Sequence, residues 1–164
     1  MINIVLIEPE IPQNTGNIVR TCAATGCKLY LVRPLGFELD DKHYKRAGLD
    51  YFPLSSITVV DSFDEILSVN QDKVFYFAST KSKHTYAEVE YPDGCFVVFG
   101  KESYGIREDI LKAHYDNCIR VPMKSDARSL NLSNTVAIIA YEALRQQGFP
   151  DLQNFGELTG RSES

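Results

Sequence analysis

No stretch of this chain approaches the ~20 consecutive apolar residues that a membrane-spanning helix needs. The opening residues, Met1-Ile2-Asn3-Ile4-Val5-Leu6-Ile7-Glu8, lack a basic flank and meet an acid too early for a secretory signal. The expectation is a soluble, cytoplasmic protein with no membrane partner. Four cysteines, Cys22, Cys27, Cys95 and Cys118, include no Cys-x-x-Cys pair, and His43, His84 and His114 stand singly. Zinc sites and redox pairs need closely spaced ligands, so neither a metal nor a disulfide framework is expected. Cys95 opens an apolar run and Cys118 precedes Ile119, as small core residues do. The sequon Asn131-Leu132-Ser133 has no meaning without a secretory signal.

The chain does have the size and composition of one globular domain. Its 164 residues are 44% hydrophobic and 24% charged, and a compact domain holds about 100–200 residues. A single domain over residues 1–150 is expected, followed by a polar, loose tail over 151–164. Positive charge is in deficit, with 17 Lys and Arg against 22 Asp and Glu, a net −5. The deficit is uneven. Residues 14–48 carry six bases and three acids, and residues 117–148 four bases and two acids, so these stretches sum to +5 and the remainder to −10. A whole-chain sum therefore does not exclude a polyanionic partner.

Strands and helices alternate. Residues 2–7 form a continuous apolar run, the mark of a strand buried on both faces. Residues 15–25 read as a helix closed by Gly26, with Asn14 or Thr15 as N-cap. Further strands are expected over 28–33, 57–60, 73–78, 95–99 and 117–121, and helices over 40–47, 62–70, 107–114 and 133–147. Ser62 and Glu65 have capping-box spacing. In the last helix Val136, Ile139, Ala140, Ala143 and Leu144 make a core stripe, while Ile138 and Tyr141 fall off it. This alternation implies a mostly parallel sheet with helices on both faces, and such sheets bind ligands beyond the carboxyl ends of their strands.

Three loops at those ends stand out. The first, residues 8–17, is neither a dinucleotide fingerprint nor a phosphate loop. Asn14, Asn17 and Arg20 recur every three residues after it, which suits a phosphate clamp or a solvated arginine with capping asparagines. The second, residues 99–106, spaces Gly100 and Gly105 as a Walker A motif does, but Ile106 and Arg107 replace the Lys-Ser/Thr pair. Gly100 there leaves room for a flat ligand, or simply makes a turn. The third, between Val121 and Ser133, is long for a strand-to-helix connection. Leu130 and Leu132 offer apolar walls and Ser129 and Asn131 polar anchors, a mixture that suits a heterocyclic ligand.

Residues 8–26 (EPEIPQNTGNIVRTCAATG), 99–106 (FGKESYGI) and 119–146 (IRVPMKSDARSLNLSNTVAIIAYEALRQ) resemble, in order, the three signature motifs of the SPOUT-class RNA methyltransferases. The stretch Lys45-Arg46-Ala47-Gly48-Leu49-Asp50-Tyr51 fits as well, and the similarity is greatest to the TrmL (YibK-like) subgroup. The resemblance implies an α/β fold with a deep trefoil knot near the C-terminus. It implies methyl transfer from S-adenosylmethionine to the ribose 2′-oxygen of the tRNA wobble nucleotide, a cytidine or modified uridine, with S-adenosylhomocysteine as product. Cofactor contacts would fall to Ala78, Gly100, Glu102, Val121, Ser129 and Leu130, and the chemistry to Arg20, Tyr141 and Asn131. Arginine holds its proton beyond about pH 12 in water and is a poor base, so Arg20 suits phosphate and transition-state positioning better. Family members are homodimers, and with no separate RNA-binding domain the tRNA would be read by the dimer surface. Lys101 and Tyr104 stand where relatives often carry Pro and Arg. Methylation of another RNA site, or a knot protein that binds RNA without catalysis, is the competing expectation.

Overall fold

The computed structural model describes residues 1–39 and 57–160. The helix expected over 40–47 and the stretch 45–51 lie outside the described residues. Within them the order is β1 (Asn3–Ile7), α1 (Pro12–Thr25), β2 (Lys28–Val32), β3 (Ile57–Val60), α2 (Phe63–Val69), β4 (Phe75–Ala78), β5 (Phe96–Phe99), α3 (Glu108–Ala113), β6 (Cys118–Ile119) and α4 (Leu132–Gln146). All six strands pair in parallel, in the order β3-β2-β1-β5-β4-β6.

Why the strand sequences are apolar throughout follows from the side-chain period of two. Ile4, Leu6, Val97 and Phe99 point into one core, with Ile18 and Cys22 of α1 and Val136, Ile139 and Leu144 of α4. Val5, Phe96 and Val98 point into the other, with Phe63 and Ile66 of α2 and Leu111 of α3. The second core is aromatic, Phe75 stacking on Phe96 at 4.5 Å and Phe63 meeting Phe77 edge-on at 6.0 Å. Both faces of the sheet are covered, as expected. Every residue of the α4 stripe is buried, while Ile138 and Tyr141 are exposed. Emptying one stripe position, Ile139→Ala, would cost about 2–5 kcal/mol.

Several boundaries move. The strands expected over 28–33, 73–78 and 117–121 shorten to Lys28–Val32, Phe75–Ala78 and Cys118–Ile119. Helix α1 begins at Pro12, with Ile11 rather than Asn14 or Thr15 as its N-cap. Proline suits that first turn because its missing N–H would have no helical acceptor there. Asn14 and Thr15 face inward, and Asn14 does not share the exposed face of Asn17 and Arg20. Gly26 ends α1 as expected, at φ 77°, with its N–H on Cys22 O at 2.8 Å. At α2 the Glu65 carboxylate accepts the Ser62 N–H at 2.9 Å. All four cysteines are buried free thiols, as Cys95 and Cys118 were expected to be. Residues 153–160 are exposed and carry no helix or strand.

Candidate functional site

The first and second loops are clasped by reciprocal carboxylates. Glu102 accepts the backbone N–H groups of Glu10 at 2.8 Å and Ile11 at 3.1 Å, and the Asn14 side-chain amide at 3.3 Å. Glu10 in turn accepts the N–H of Ser103 at 3.0 Å and its hydroxyl at 2.7 Å. Those two bonds hold the Glu10 carboxyl below the usual carboxylate range. Lys101 reaches Glu8 at 3.2 Å, and Glu8 itself sits at φ 51°, a left-handed conformation uncommon for a side chain of its size. Glu102 thus satisfies free N–H groups at the start of α1, which its negative charge favours.

The third loop joins through Asn14. Asn131 Nδ2 donates to Asn14 Oδ1 at 3.0 Å. The Asn131 Oδ1 caps α4, accepting the N–H groups of Ser133 at 2.9 Å and Asn134 at 3.2 Å and the Ser133 hydroxyl at 2.6 Å. A polar string therefore runs from Glu102 through Asn14 and Asn131 to Ser133. Asn14, only 7% exposed, is its middle link. The importance of Glu10 and Ser103 was not read from the sequence, and Asn14, read there as an N-cap or as part of a phosphate clamp with Asn17 and Arg20, instead ties the loops together.

Gly100 has a reason other than ligand approach. A Cβ there would stand 2.0 Å from the carbonyl carbon of Gly105 and 2.2 Å from the nitrogen of Ile106. The loop closes on itself, Gly105 N–H bonding Lys101 O at 2.7 Å, and only a bare Cα fits inside.

A cavity of about 610 Å³ lies beyond the carboxyl ends of β4, β5 and β6. Its lining brings together Ala78, Gly100, Glu102, Val121, Ser129, Leu130 and Asn131, seven of the nine expected site residues. Phe99, Ile119, Val121, Leu130 and Leu132 supply apolar wall, and pockets of this size and mixture hold drug-sized ligands. Lys81, Lys101, Arg120 and Arg128 also line it; Lys81 is paired with Glu108 and Lys101 with Glu8, and the one lining carboxylate, Glu102, accepts from Glu10, Ile11 and Asn14. In a chain of net −5 the rim is rich in cations, two of the four matched by carboxylates.

Arg20 and Tyr141 are elsewhere. They share a second, shallower cleft of about 320 Å³ between α1 and α4, with Asn17, Ser133 and Asn134. The amino end of α4 divides the two clefts, since Asn131 lines the first and Ser133 and Asn134 the second. Among the described residues no group of three or more His, Cys, Asp or Glu side chains converges as a metal site requires, and no helix is long and apolar enough to cross a membrane.

A family model described as the SpoU rRNA Methylase family matches residues 1–141. A tRNA (cytidine(34)-2'-O)-methyltransferase of Escherichia coli is 44% identical over 151 residues, 92% of this chain and 96% of that one. A Listeria innocua protein provisionally given the same activity is 52% identical over 150 residues, 90% of this chain and 89% of its own. A solved structure concerned with 2-OH methylation of C/U34 on tRNA matches at TM-score 0.83 and 41% identity, over 90% of this chain and 97% of that chain. The fold also matches the SpoU methyltransferase AviRb of Streptomyces viridochromogenes, solved with AdoMet, at TM-score 0.74 and 22% identity over 88% of this chain and 57% of that chain.

Proposed function

The chain belongs to the SpoU rRNA methylase family, and on that premise we propose that it methylates the ribose 2′-oxygen of the wobble nucleotide, position 34, of tRNA, using S-adenosylmethionine. The family description names ribosomal RNA, but the relatives at 44–52% identity over nine-tenths of the chain are named for tRNA nucleotide 34. The observation that carries the reading is the convergence of three loops, distant in sequence, around one cation-rimmed cavity at the carboxyl ends of the parallel strands.

The residues fit the methyl donor. Val121, Leu130 and Leu132 give a heterocycle apolar walls, with Ala78 at the strand end, while the turn at Gly100 and the Ser129 hydroxyl offer polar contacts. When bound, the donor supplies an electrophilic methyl on a sulfonium, and transfer leaves S-adenosylhomocysteine and one proton from the ribose hydroxyl. The chain's own work is alignment, the largest gain available to a two-substrate reaction. Asn131 fixes the start of α4 between the clefts, and Glu102 acts at one remove by fixing the first loop. Arg20, beside Tyr141, orients the RNA phosphate and opposes charge that develops at the oxygen, for which a guanidinium fork is suited. The donor, a sulfonium, carries a net positive charge and does not call for Arg120 and Arg128 at the rim, which suit a polyanion instead.

In this reading the chain works in the cytoplasm as a homodimer, which covers the exposed Ile138 and Tyr141 of α4. The reading includes the knot. Strand β6 pairs with β4 on one side, and on the other Arg120 N–H bonds His84 O at 2.9 Å and Tyr86 N–H bonds Arg120 O at 2.8 Å. The connection from β4 to β5 thus passes outside β6, pinned by the Tyr76 hydroxyl on Glu90 O and the Tyr91 hydroxyl on Tyr86 O. These bonds support threading of the third loop through that connection. The test of function is label transfer from methyl-labelled donor to total tRNA, followed by alkaline hydrolysis. Ribose methylation yields an alkali-resistant dinucleotide, and base methylation, which leaves no such linkage, would refute the reading.

A further inference from the structure

Tyr104 is at odds with its surroundings. It lines the mouth of the cavity yet is 61% exposed, and its loop is held firmly by the Gly105–Lys101 bond and by Ser103 on Glu10. A large aromatic side chain on a loop whose backbone is fixed loses little further freedom on binding, which favours its use as a contact. Lys81 Nζ stands 5.9 Å from the centre of its ring, held also by Glu108 at 2.6 Å. The pattern repeats next door. Lys83 Nζ lies 5.3 Å from the ring of Tyr115, whose hydroxyl donates to the backbone carbonyl of Lys81 at 3.1 Å. Tyr104, Lys81 and Arg120, the last bonded to Thr80 O, line the cavity, and Tyr115 and Lys83, the latter paired with Asp116 at 3.2 Å, continue the alternation beyond it.

Alternating aromatic faces and cations are how proteins hold unpaired nucleotides, the rings stacking on bases and the cations meeting the backbone. Resting on the RNA reading above, we infer that Tyr104 is a stacking platform for an unpaired base neighbouring the methylated nucleotide, with Lys81 turning from Glu108 to the adjoining phosphate. The adenine of the donor is the competing occupant. The cavity wall of Val121, Leu132 and Leu130, the first two half-buried, suits that adenine better than a ring 61% exposed.

The chain contains no tryptophan, so Tyr104→Trp introduces one fluorophore at the platform. Its emission should be quenched by an anticodon stem-loop RNA and not by S-adenosylhomocysteine alone. In steady-state kinetics Tyr104→Ala should raise KM for tRNA by roughly 5- to 150-fold, the equivalent of one stacked base, and Tyr104→Phe should restore it. KM for S-adenosylmethionine should stay within about twofold. A rise in that second KM, or no change in either KM with no quenching, would overturn the platform. Wild-type protein that methylates no RNA would instead refute the function on which the platform rests.

Discussion

Asn131 and Asn14, 117 positions apart, share a 3.0 Å hydrogen bond, Asn131 Nδ2 donating to Asn14 Oδ1. Asn14 passes the connection on, its own Nδ2 reaching Glu102 Oε1 at 3.3 Å. Two amides, that of Asn14 buried and that of Asn131 exposed, therefore hold the three loops in one arrangement. Neither amide can be replaced by an apolar group without leaving a partner unsatisfied.

Asn14→Ala tests that link. It removes the acceptor of Asn131 and one donor to Glu102, and should lower stability by about 1–3 kcal/mol. Because the loops that line the cavity lose a common tie, affinity for S-adenosylmethionine should fall as well. Urea unfolding and calorimetric titration read the two effects. Lost stability with unaltered affinity would show that the string does not shape the cavity.

Gly100→Ala should be worse for binding than for folding. The added methyl meets the backbone of Gly105 and Ile106, which cannot move aside as a flexible side chain would. The turn must open, disturbing Lys101, Glu102 and Ser103 together. The expected result is a nearly native far-ultraviolet circular dichroism spectrum with cofactor binding too weak to titrate. Normal binding by this variant would mean that the turn is not required closed.

Much of the fold is legible from periodicity, because burial decides it residue by residue. The apolar strands fall within the runs that the pattern marks, three of them shorter, and the stripe Val136, Ile139, Ala140, Ala143 and Leu144 is buried. The sheet order is not legible, since neither the return of β5 to a place between β1 and β4 nor the position of β6 at the edge leaves a local signal. The same holds at the site. Leu130 and Val121 announce themselves as apolar walls, but Glu102 finds its partners about ninety residues away, at Glu10, Ile11 and Asn14. Asn131 reads locally as a polar anchor and proves to be both a helix cap and a tie between loops.

The buried thiols predict a pH dependence. Desolvation raises the pKa of Cys95 to about 12 and that of Cys22 further still, whereas an unfolded cysteine titrates near 8.5. The neutral thiol is thus favoured by folding, and its contribution is complete below about pH 8.5 and lost as pH rises toward the folded values. The urea midpoint should fall between pH 8 and 9.5, before the buried Tyr91, raised in the same sense, joins in above about pH 10. A Cys22→Ala/Cys95→Ala protein should show a flatter dependence over that window. An equal slope would show that these thiols do not set it.

Arg20 separates binding from transfer. It lies in the α1–α4 cleft with Tyr141, outside the cavity assigned to the methyl donor. Arg20→Ala should reduce methyl transfer roughly 100- to 1,000-fold, the usual loss when one transition-state stabiliser is removed. Affinity for S-adenosylmethionine, measured by equilibrium dialysis, should change little. If both fall together, the arginine maintains structure and its place in the chemistry is lost.

The most direct measurement compares two tRNA anticodon stem-loops that differ only at nucleotide 34, one with ribose and one with 2′-deoxyribose there. With methyl-labelled donor the ribose form should take up label at nucleotide 34, and the deoxy form should take up almost none. Equal labelling of the two, or label mapped to another nucleotide, would contradict the assignment of the 2′-oxygen of position 34 as the methyl acceptor.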